Sequence, residues 1–561
     1  MVETLREKQI REAEDLLFTG PQHLGVAKGL FRGQFVADWV MPYPTMPTVE
    51  SLPEIRRFLD EQVDAAAIDR QADIPRDVIT GLGKLGVLGL GAPKEFGGQG
   101  ASQMAFCRVM EEIGGHCGST SVFVNAHHSI GLHALILFGT PEQKRRWLTP
   151  LARGEQLAAF ALTEPEAGSD AGNVQTRAVW NGTHYILNGE KRYITNASLA
   201  NVLTVMARTD EGVTAFLVTP DMPGFVVTEA RMEKLGIRGT ATAKLAFRDM
   251  PVPKENILGK PGKGLKVALT VLDFGRTTFG ACCTGSAKTC LKLAVHHANT
   301  RKQFGRTLGE FELIKKKLAR MAADTYAMES MTYVTASLID RGLEDYMIET
   351  AILKVFTTEA LWGIVNDAFQ IYGGAAYFTD KPLERILRDA RINQIGEGAN
   401  EVLVSFIALA GLRGPGLQLQ ELWEALRQPS ALGKAWRIGV ERVGAAVSPP
   451  HVPVRRAELR PHADQLGRLI RRFTVEVDRT LIQHREAILD RQYVQQRIAG
   501  AAVELFASAC VLSRWDSEAG KNYAAELFVS RSLRRVRRWL AKLHDSEDAL
   551  ITAAADAVLK S

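Results

Sequence analysis

Several stretches of this 561-residue chain carry side chains whose types and spacing suit chemistry. One is Arg391-Ile-Asn-Gln-Ile-Gly-Glu397-Gly-Ala-Asn-Glu401, which runs into Val402, Leu403, Phe406, Ile407 and Ala410 at helical spacing. Glu397 thus stands at the mouth of a helix, beside Gly398, which allows close backbone approach to a ligand. A carboxylate so placed can act as a base, although a lone Glu before a helix is more often a cap or a solvated charge. In Phe160-Ala-Leu162-Thr163-Glu-Pro-Glu-Ala-Gly-Ser169-Asp170, two hydroxyls flank an irregular turn that frees backbone donors for a ring edge or a phosphate. Thr300-Arg301-Lys-Gln303-Phe304-Gly305 offers a guanidinium fork suited to pyrophosphate oxygens. Gln370-Ile-Tyr-Gly373-Gly374-Ala-Ala-Tyr377 sets an amide beside bare glycine backbone, which taken alone reads as a helix breaker.

The elements that must position these groups follow from periodicity. From Leu52 to about Leu157 the pattern is mainly helical, interrupted by the turn Ala92-Pro-Lys-Glu-Phe-Gly-Gly-Gln-Gly100. Leu132, Leu135 and Ile136 supply core positions there. Between about 158 and 263, short runs such as Val202-Leu-Thr-Val-Met-Ala and Thr214-Ala-Phe-Leu-Val-Thr alternate with turn residues. Asn181-Gly and Asn188-Gly there predict hairpin turns. Helical periodicity returns at Gly264, and Gly414-Pro415-Gly416 predicts a break before a further helical section. The expected division is a lead-in (1–47), a helical domain (48–157), a β domain (158–263), a second helical, catalytic domain (264–413) and a helical extension (414–561). The fold class is mainly α with an inserted β domain.

Taken together these motifs resemble the acyl-CoA dehydrogenase family, and the resemblance covers nearly the whole chain. It implies an α domain, a β-barrel-like domain and a four-helix-bundle-like α domain. It also implies FAD as cofactor and conversion of a fatty acyl-CoA to trans-2-enoyl-CoA in β-oxidation. In that family the carboxylate of the Glu-Gly motif removes a proton alpha to a thioester while flavin takes a hydride. The other site the family uses for its base falls at Gly275 in Val271-Leu-Asp273-Phe274-Gly275-Arg276, so the role goes to Glu397. Arg276 resembles the arginine near base and substrate; Asp273, Phe274, Gly398 and Ser169 fall at substrate positions.

The resemblance further puts Phe160, Leu162, Thr163, Ser169, Ile194 and Thr195 on the flavin. Tyr193 stands in place of the usual Trp against the isoalloxazine ring. Arg301, Gln303, Phe304, Gln370, Gly373 and Gly374 reach the flavin of a neighbouring subunit, and Ala399 and Glu401 complete the set. This chain departs from the pattern at Ala376 (usually Gly), Ala399 (usually Thr) and Glu312 (usually Gln). The segment Ser119-Thr-Ser-Val-Phe123-Val-Asn125 departs from the glycine-rich stretch of a deep acyl channel, with Phe123 or Asn125 set to shorten it.

Residues His484 to Ile498 and Val511-Leu-Ser-Arg514 are similar to the C-terminal extension of the very-long-chain branch. That similarity implies a homodimer, peripheral membrane contact and electron-transfer flavoprotein as acceptor. On the helix around residue 535, Arg531, Arg534, Arg535, Arg538 and Lys542 form a basic side, opposite Leu533, Val536, Leu540 and Leu543.

Composition bounds the rest. A hydrophobic share of 46% with 24% charged residues suits a soluble globular protein, and no apolar run approaches the roughly 20 residues of a membrane span. The acids Glu3, Glu7, Glu12, Glu14 and Asp15 suit neither a secretory signal nor a mitochondrial presequence, so a cytoplasmic protein, or one at the inner face of the membrane, is expected. A net charge of +6 is modest for this length and does not indicate nucleic acid. Six cysteines without CxxC spacing read as buried thiols, and His127, His128 and His133 as packing residues with no metal. Two rivals remain at this level: a flavin acyl-CoA oxidase, and a non-enzymatic scaffold on the same fold.

Overall fold

The computed structural model describes residues 24–544 and 547–561, so the acidic beginning of the lead-in lies outside the described residues. Helices α1 (Gln103–His116) and α2 (Gly118–Asn125) come before the sheet, and α2 runs on as a π-helical turn over Ala126–Leu132. The strands of the main sheet are β1 (Ala158–Ala161), β2 (Arg177–Trp180), β3 (His184–Thr195), β4 (Val202–Thr209), β5 (Gly212–Val218), β6 (Phe225–Glu229), β7 (Thr242–Pro253) and β8 (Ile257–Leu258). Long helices follow: α3 (Gly264–Thr300), α4 (Glu312–Asp340), α5 (Met347–Tyr372), α6 (Leu383–Arg391), α7 (Asn400–Leu426), α8 (Leu432–Val447), α9 (Arg460–His484), α10 (Gln492–Ser517) and α11 (Tyr523–Ala541). The class is mainly α with an inserted β domain, as expected.

Two compact units divide the chain, and they cut across its order. One holds residues 46–310 and 361–398; the other holds 24–45, 311–360 and 399–561. In the first, the strands form one sheet in the order β6-β7-β3-β2-β4-β5-β8, with β1 paired parallel to β4. Asn181-Gly182 makes the predicted turn between β2 and β3, where the Asn181 Oδ1 accepts from the backbone N–H of Thr183 and His184. Asn188-Gly189 does not make a turn. It lies inside β3 at a register shift against β7, with Gly189 at φ +151°, where a Cβ would fall 2.5 Å from Thr176 Oγ1. Because β3 has partners on both edges, the dipeptide accommodates a bulge rather than a reversal. Helix α3 meets α1 at glycines: a Cβ on Gly285 would lie 1.9 Å from the Glu111 carbonyl oxygen, so only glycine permits this approach.

The second unit joins part of the expected lead-in to the C-terminal helices. Phe31 meets Phe473 of α9 edge-on at 4.9 Å between centroids, and Gly411 of α7 leaves the space for the Phe31 ring. Gly414-Pro415-Gly416 lies within α7 and does not end it. Proline there forgoes one backbone bond, a loss that packing of the buried α7 residues offsets. The apolar side of α11 is not available to a membrane: Leu533, Val536, Leu540 and Leu543 are core residues. On its basic side, Arg531 pairs with Asp324, and Arg535 pairs with Glu504 at 2.5 Å.

Contrary to the reading from composition, three helical stretches among the described residues are long and apolar enough to cross a membrane: Gly118–Phe138, Asn400–Leu426 and Gln492–Ser517. Most of the apolar window of the first and last is buried inside the protein, which accounts for their composition.

Candidate active site

The base candidate and the helix facing it converge. Glu397 adopts φ +59°, a conformation uncommon for a residue with a Cβ, in the short segment between α6 and α7. Its neighbour across space is Gly275 of α3. A Cβ built on Gly275 would lie 3.4 Å from Glu397 Oε2 and 3.2 Å from Ile130 Cγ2. The absence of a side chain at 275 therefore leaves room for the carboxylate, while Ile130 supplies an apolar wall. One residue on, Arg276 Nε donates to the Glu397 carbonyl oxygen at 3.3 Å, and its Nη1 donates to Asp273 Oδ1 at 2.8 Å. Arg276 and Asp273 are both buried, so their charges neutralise one another inside the protein. Arg276 reaches Glu397 through the main chain, which makes it a holder of the unusual backbone. The Asp273 carboxylate, expected toward substrate, is engaged by Arg276; Phe274 lies against the His133 ring at 3.8 Å. Burial pushes the His133 imidazole down to about 4, so it is neutral near pH 7.

Phe279, Cys282 and Ser286 follow Gly275 along the same face of α3. They line a cavity with Val122 of α2 and Asn393. Asn125 faces α3 as well, accepting from Thr278 Oγ1 at 2.5 Å, and Phe123 is buried. The other histidines stitch the π-helical turn to its surroundings: His127 Nδ1 accepts from the Ala158 N–H, and His128 Nε2 from the Gly91 N–H.

The hydroxyl-bearing loop and the Tyr193 strand form a second cluster. The Arg192 N–H donates to the Thr163 carbonyl at 2.9 Å. Between Lys191 and Ile194 the register of β3 against β7 shifts, and Tyr193 takes φ +61° in that bulge. The Tyr193 ring consequently stands 55% exposed, with the Arg192 guanidinium 4.6 Å from its centroid. Thr163 and Thr195 are half-buried and Ser169 is exposed. Phe160 and Ile194 are buried, so any ligand contact at these two positions falls to the main chain. An outward aromatic face flanked by hydroxyls fits a flat heteroaromatic ring such as flavin.

Arg301 and Gln370 belong to a third cluster. His297, one turn before Arg301, stacks on Tyr372 at 4.1 Å, which places the 301–304 and 370–374 segments side by side. Arg301, Gln303 and Gln370 are exposed, and Phe304 is 93% exposed with φ +51°. Side chains on Gly373 or Gly374 would meet nothing within 4 Å, so their backbone presents a bare surface. These donors fit the phosphates of a dinucleotide. Ala399 and Glu401 start α7 in the other unit, where Asn400 accepts from Lys354 Nζ at 2.8 Å.

Sequence reasoning missed Ile130 and the partners of Lys191, whereas His133, read there as a packing residue, packs on Phe274. Ile130 sits in the π-helical turn, which carries no distinctive residue pattern. Lys191 lies two residues before Tyr193, and nothing local marks its distant partner.

Comparisons with known proteins bear on these clusters. Models of the acyl-CoA dehydrogenase N-terminal, middle and C-terminal domains match residues 50–155, 159–250 and 262–412. A model described as ACAD9/ACADV, C-terminal domain, matches residues 457–561. The chain is 36% identical over 522 residues to the very long-chain specific acyl-CoA dehydrogenase, mitochondrial, of Mus musculus, covering 89% of this chain and 79% of that one. A crystal structure of an acyl-CoA dehydrogenase complexed with FAD from Bacillus anthracis superposes with TM-score 0.81 at 29% identity, covering 94% of each chain. A chain from an electron transferring flavoprotein structure of Acidaminococcus fermentans matches at TM-score 0.62 and 35% identity, over 65% of this chain and 99% of that one.

Proposed function

The chain belongs to the acyl-CoA dehydrogenase family, and on that premise we propose that Glu397 is its catalytic base, working on a substrate held against α3. It is an FAD-dependent dehydrogenase that introduces the α,β double bond of a fatty acyl-CoA in β-oxidation. The observation that carries the assignment of the base is the approach of the Glu397 carboxylate to Gly275, where no competing side chain exists.

Bound FAD would supply the hydride acceptor for the β-hydrogen. The chain's own residues account for the rest. The Glu397 carboxylate takes the α-proton, and its own N–H donates to the thioester carbonyl, where enolate charge develops. Ile130 excludes water from one side, which strengthens the carboxylate as a base. Arg276 keeps the Glu397 backbone in its left-handed conformation, and Asp273 keeps Arg276 in place. The acyl chain runs along the α3 face past Phe279 and Cys282. Tyr193, Thr163, Thr195 and Ser169 would hold the flavin ring. Arg301, Gln303, Gln370 and the backbone at Gly373 and Gly374 would hold the phosphates of the flavin bound by a partner subunit. The direct test is anaerobic titration with a panel of acyl-CoAs, in which the visible flavin band bleaches in the wild type and persists in Glu397→Gln.

The near-complete exposure of Phe304 beside Arg301 supports a second copy covering this cluster, and so a homodimer that shares its flavin sites. Arg301→Ala is then expected to lower flavin occupancy and to loosen the dimer together, because ligand and assembly are linked. Light scattering alongside flavin absorbance reads both. A monomer holding full flavin would overturn the shared site.

Electron-transfer flavoprotein is the proposed acceptor of the electrons, supported by the likeness to the Acidaminococcus chain. The proposed location is cytoplasmic, with peripheral contact at the inner face of the membrane; six free, buried thiols accord with a reducing compartment. The surface for that contact moves from α11 to α8. There Leu432, Trp436, Val440, Val443 and Val447 form an exposed apolar stripe, with Trp436 76% exposed. Next to it, Arg468, Arg471, Arg472 and Arg537 line a groove with Ala446 of α8. Co-sedimentation with anionic vesicles should fall for Trp436→Glu/Val443→Glu and hold for Arg534→Gln/Arg538→Gln. The opposite pattern would return the contact to α11.

A further inference from the structure

The Lys191 ammonium is completely buried, and so is nearly all of the Glu164 carboxylate that faces it at 2.6 Å. A buried ion pair is costly to desolvate and is maintained only where further hydrogen bonds complete it. Here they do. Lys191 Nζ also donates to the Leu162 carbonyl at 2.9 Å. Glu164 Oε2 accepts from the Gln175 N–H at 2.5 Å and Oε1 from the Thr176 N–H at 3.1 Å. Burial opposes ionisation of Glu164, yet Lys191 and the backbone donors hold its carboxyl below the usual range; burial pushes the Lys191 ammonium down to about 8. Near pH 7 both partners carry charge.

The position of this pair matters more than its strength. Lys191 is the last residue of β3 in register with β7 before the bulge that turns Tyr193 outward. Glu164 follows Thr163, whose carbonyl receives the Arg192 N–H, and lies between Leu162 and the turn closed by mutual Glu164–Ala167 backbone bonds. The side chain of one segment thus grips both the carboxylate and the main chain of the other. Neither residue is exposed enough to touch a ligand.

We propose that the Lys191–Glu164 pair is a positioning clamp that holds the Tyr193 bulge and the 162–169 loop as one flavin cradle. This rests on the assignment of those two segments to the flavin, and failure of the wild type to bind FAD would refute that assignment and not the clamp. Each half is needed. Loss of Glu164 frees the 175–176 backbone and leaves an unpaired buried ammonium; loss of Lys191 frees the Leu162 carbonyl.

The test titrates flavin-stripped protein with FAD, following binding, the visible spectrum of the bound flavin and the thermal midpoint of the flavin-free protein. Glu164→Gln and Lys191→Met should each weaken FAD binding at least tenfold and shift the spectrum. The double variant Lys191→Met/Glu164→Leu removes both charges, so the flavin-free midpoint should return toward wild type while FAD binding stays weak. Glu164→Asp, which keeps the charge and withdraws it by one methylene, should give folded protein with intermediate affinity and spectrum. Wild-type affinity and spectrum in either single variant or in Glu164→Asp would overturn the clamp. Recovery of affinity together with stability in the double variant would reduce the pair to a purely structural role and overturn it equally.

Discussion

Glu397→Gln is expected to slow flavin reduction by acyl-CoA on the order of a thousandfold or more, with flavin and substrate still bound. The amide has nearly the shape of the carboxylate, so the main-chain bond from Arg276 and the left-handed backbone persist. Only the proton acceptor is lost. Stopped-flow absorbance under anaerobic conditions measures the step, and reduction at the wild-type rate would remove Glu397 from its role. Because a Cβ at position 275 would stand 3.4 Å from Glu397 Oε2, a carboxylate grafted there can serve the same ground. Gly275→Glu in the Glu397→Gln background should recover part of the rate, at the expense of crowding Ile130, whose Cγ2 lies 3.2 Å from the new Cβ.

Arg276→Gln should have the next largest effect, and it should appear in two separable readouts. Removing the guanidinium takes away the Arg276 half of the buried Asp273–Arg276 pair, a change that costs about 3–5 kcal/mol. The same substitution takes the donor from the Glu397 carbonyl, and displacement of a base by about 1 Å lowers a rate on the order of a hundredfold. Adding Asp273→Asn removes the negative charge that Arg276 balanced, so the urea midpoint should recover while the slow reduction remains. Were the rate restored along with stability, Arg276 would be a packing residue only. Two buried charges one helical turn apart would then have no catalytic consequence.

The opposite readings of Arg276 show how legible the site was. The spacing of Asp273 and Arg276 on one helical turn was visible, but not that the arginine would reach a main-chain oxygen 121 residues away. Sequence motifs record which groups are present; the direction of a side chain depends on what packs beside it. Asn188-Gly189 makes the same point for the backbone. As a dipeptide it favours a hairpin, yet with a strand bonded on each side of β3 the chain continues, and the glycine absorbs a bulge. Likewise Gly414-Pro415-Gly416 breaks isolated helices but not α7, where tertiary burial outweighs a missing hydrogen bond.

By itself the sequence determined the order of helical and β regions, the presence of a base candidate between glycines, and the aromatic and hydroxyl groups for a flavin. These depend on local spacing, which periodicity carries directly. The tertiary structure alone decided that Gly275 faces Glu397, that Lys191 is buried against Glu164, and that the apolar side of α11 is core while that of α8 is exposed. An amphipathic helix has the same pattern whether its stripe meets protein or another surface, and two charges far apart in the chain show no mark of pairing. Contacts between distant segments arise only when the whole chain competes for the same buried volume, so they are absent from any local reading.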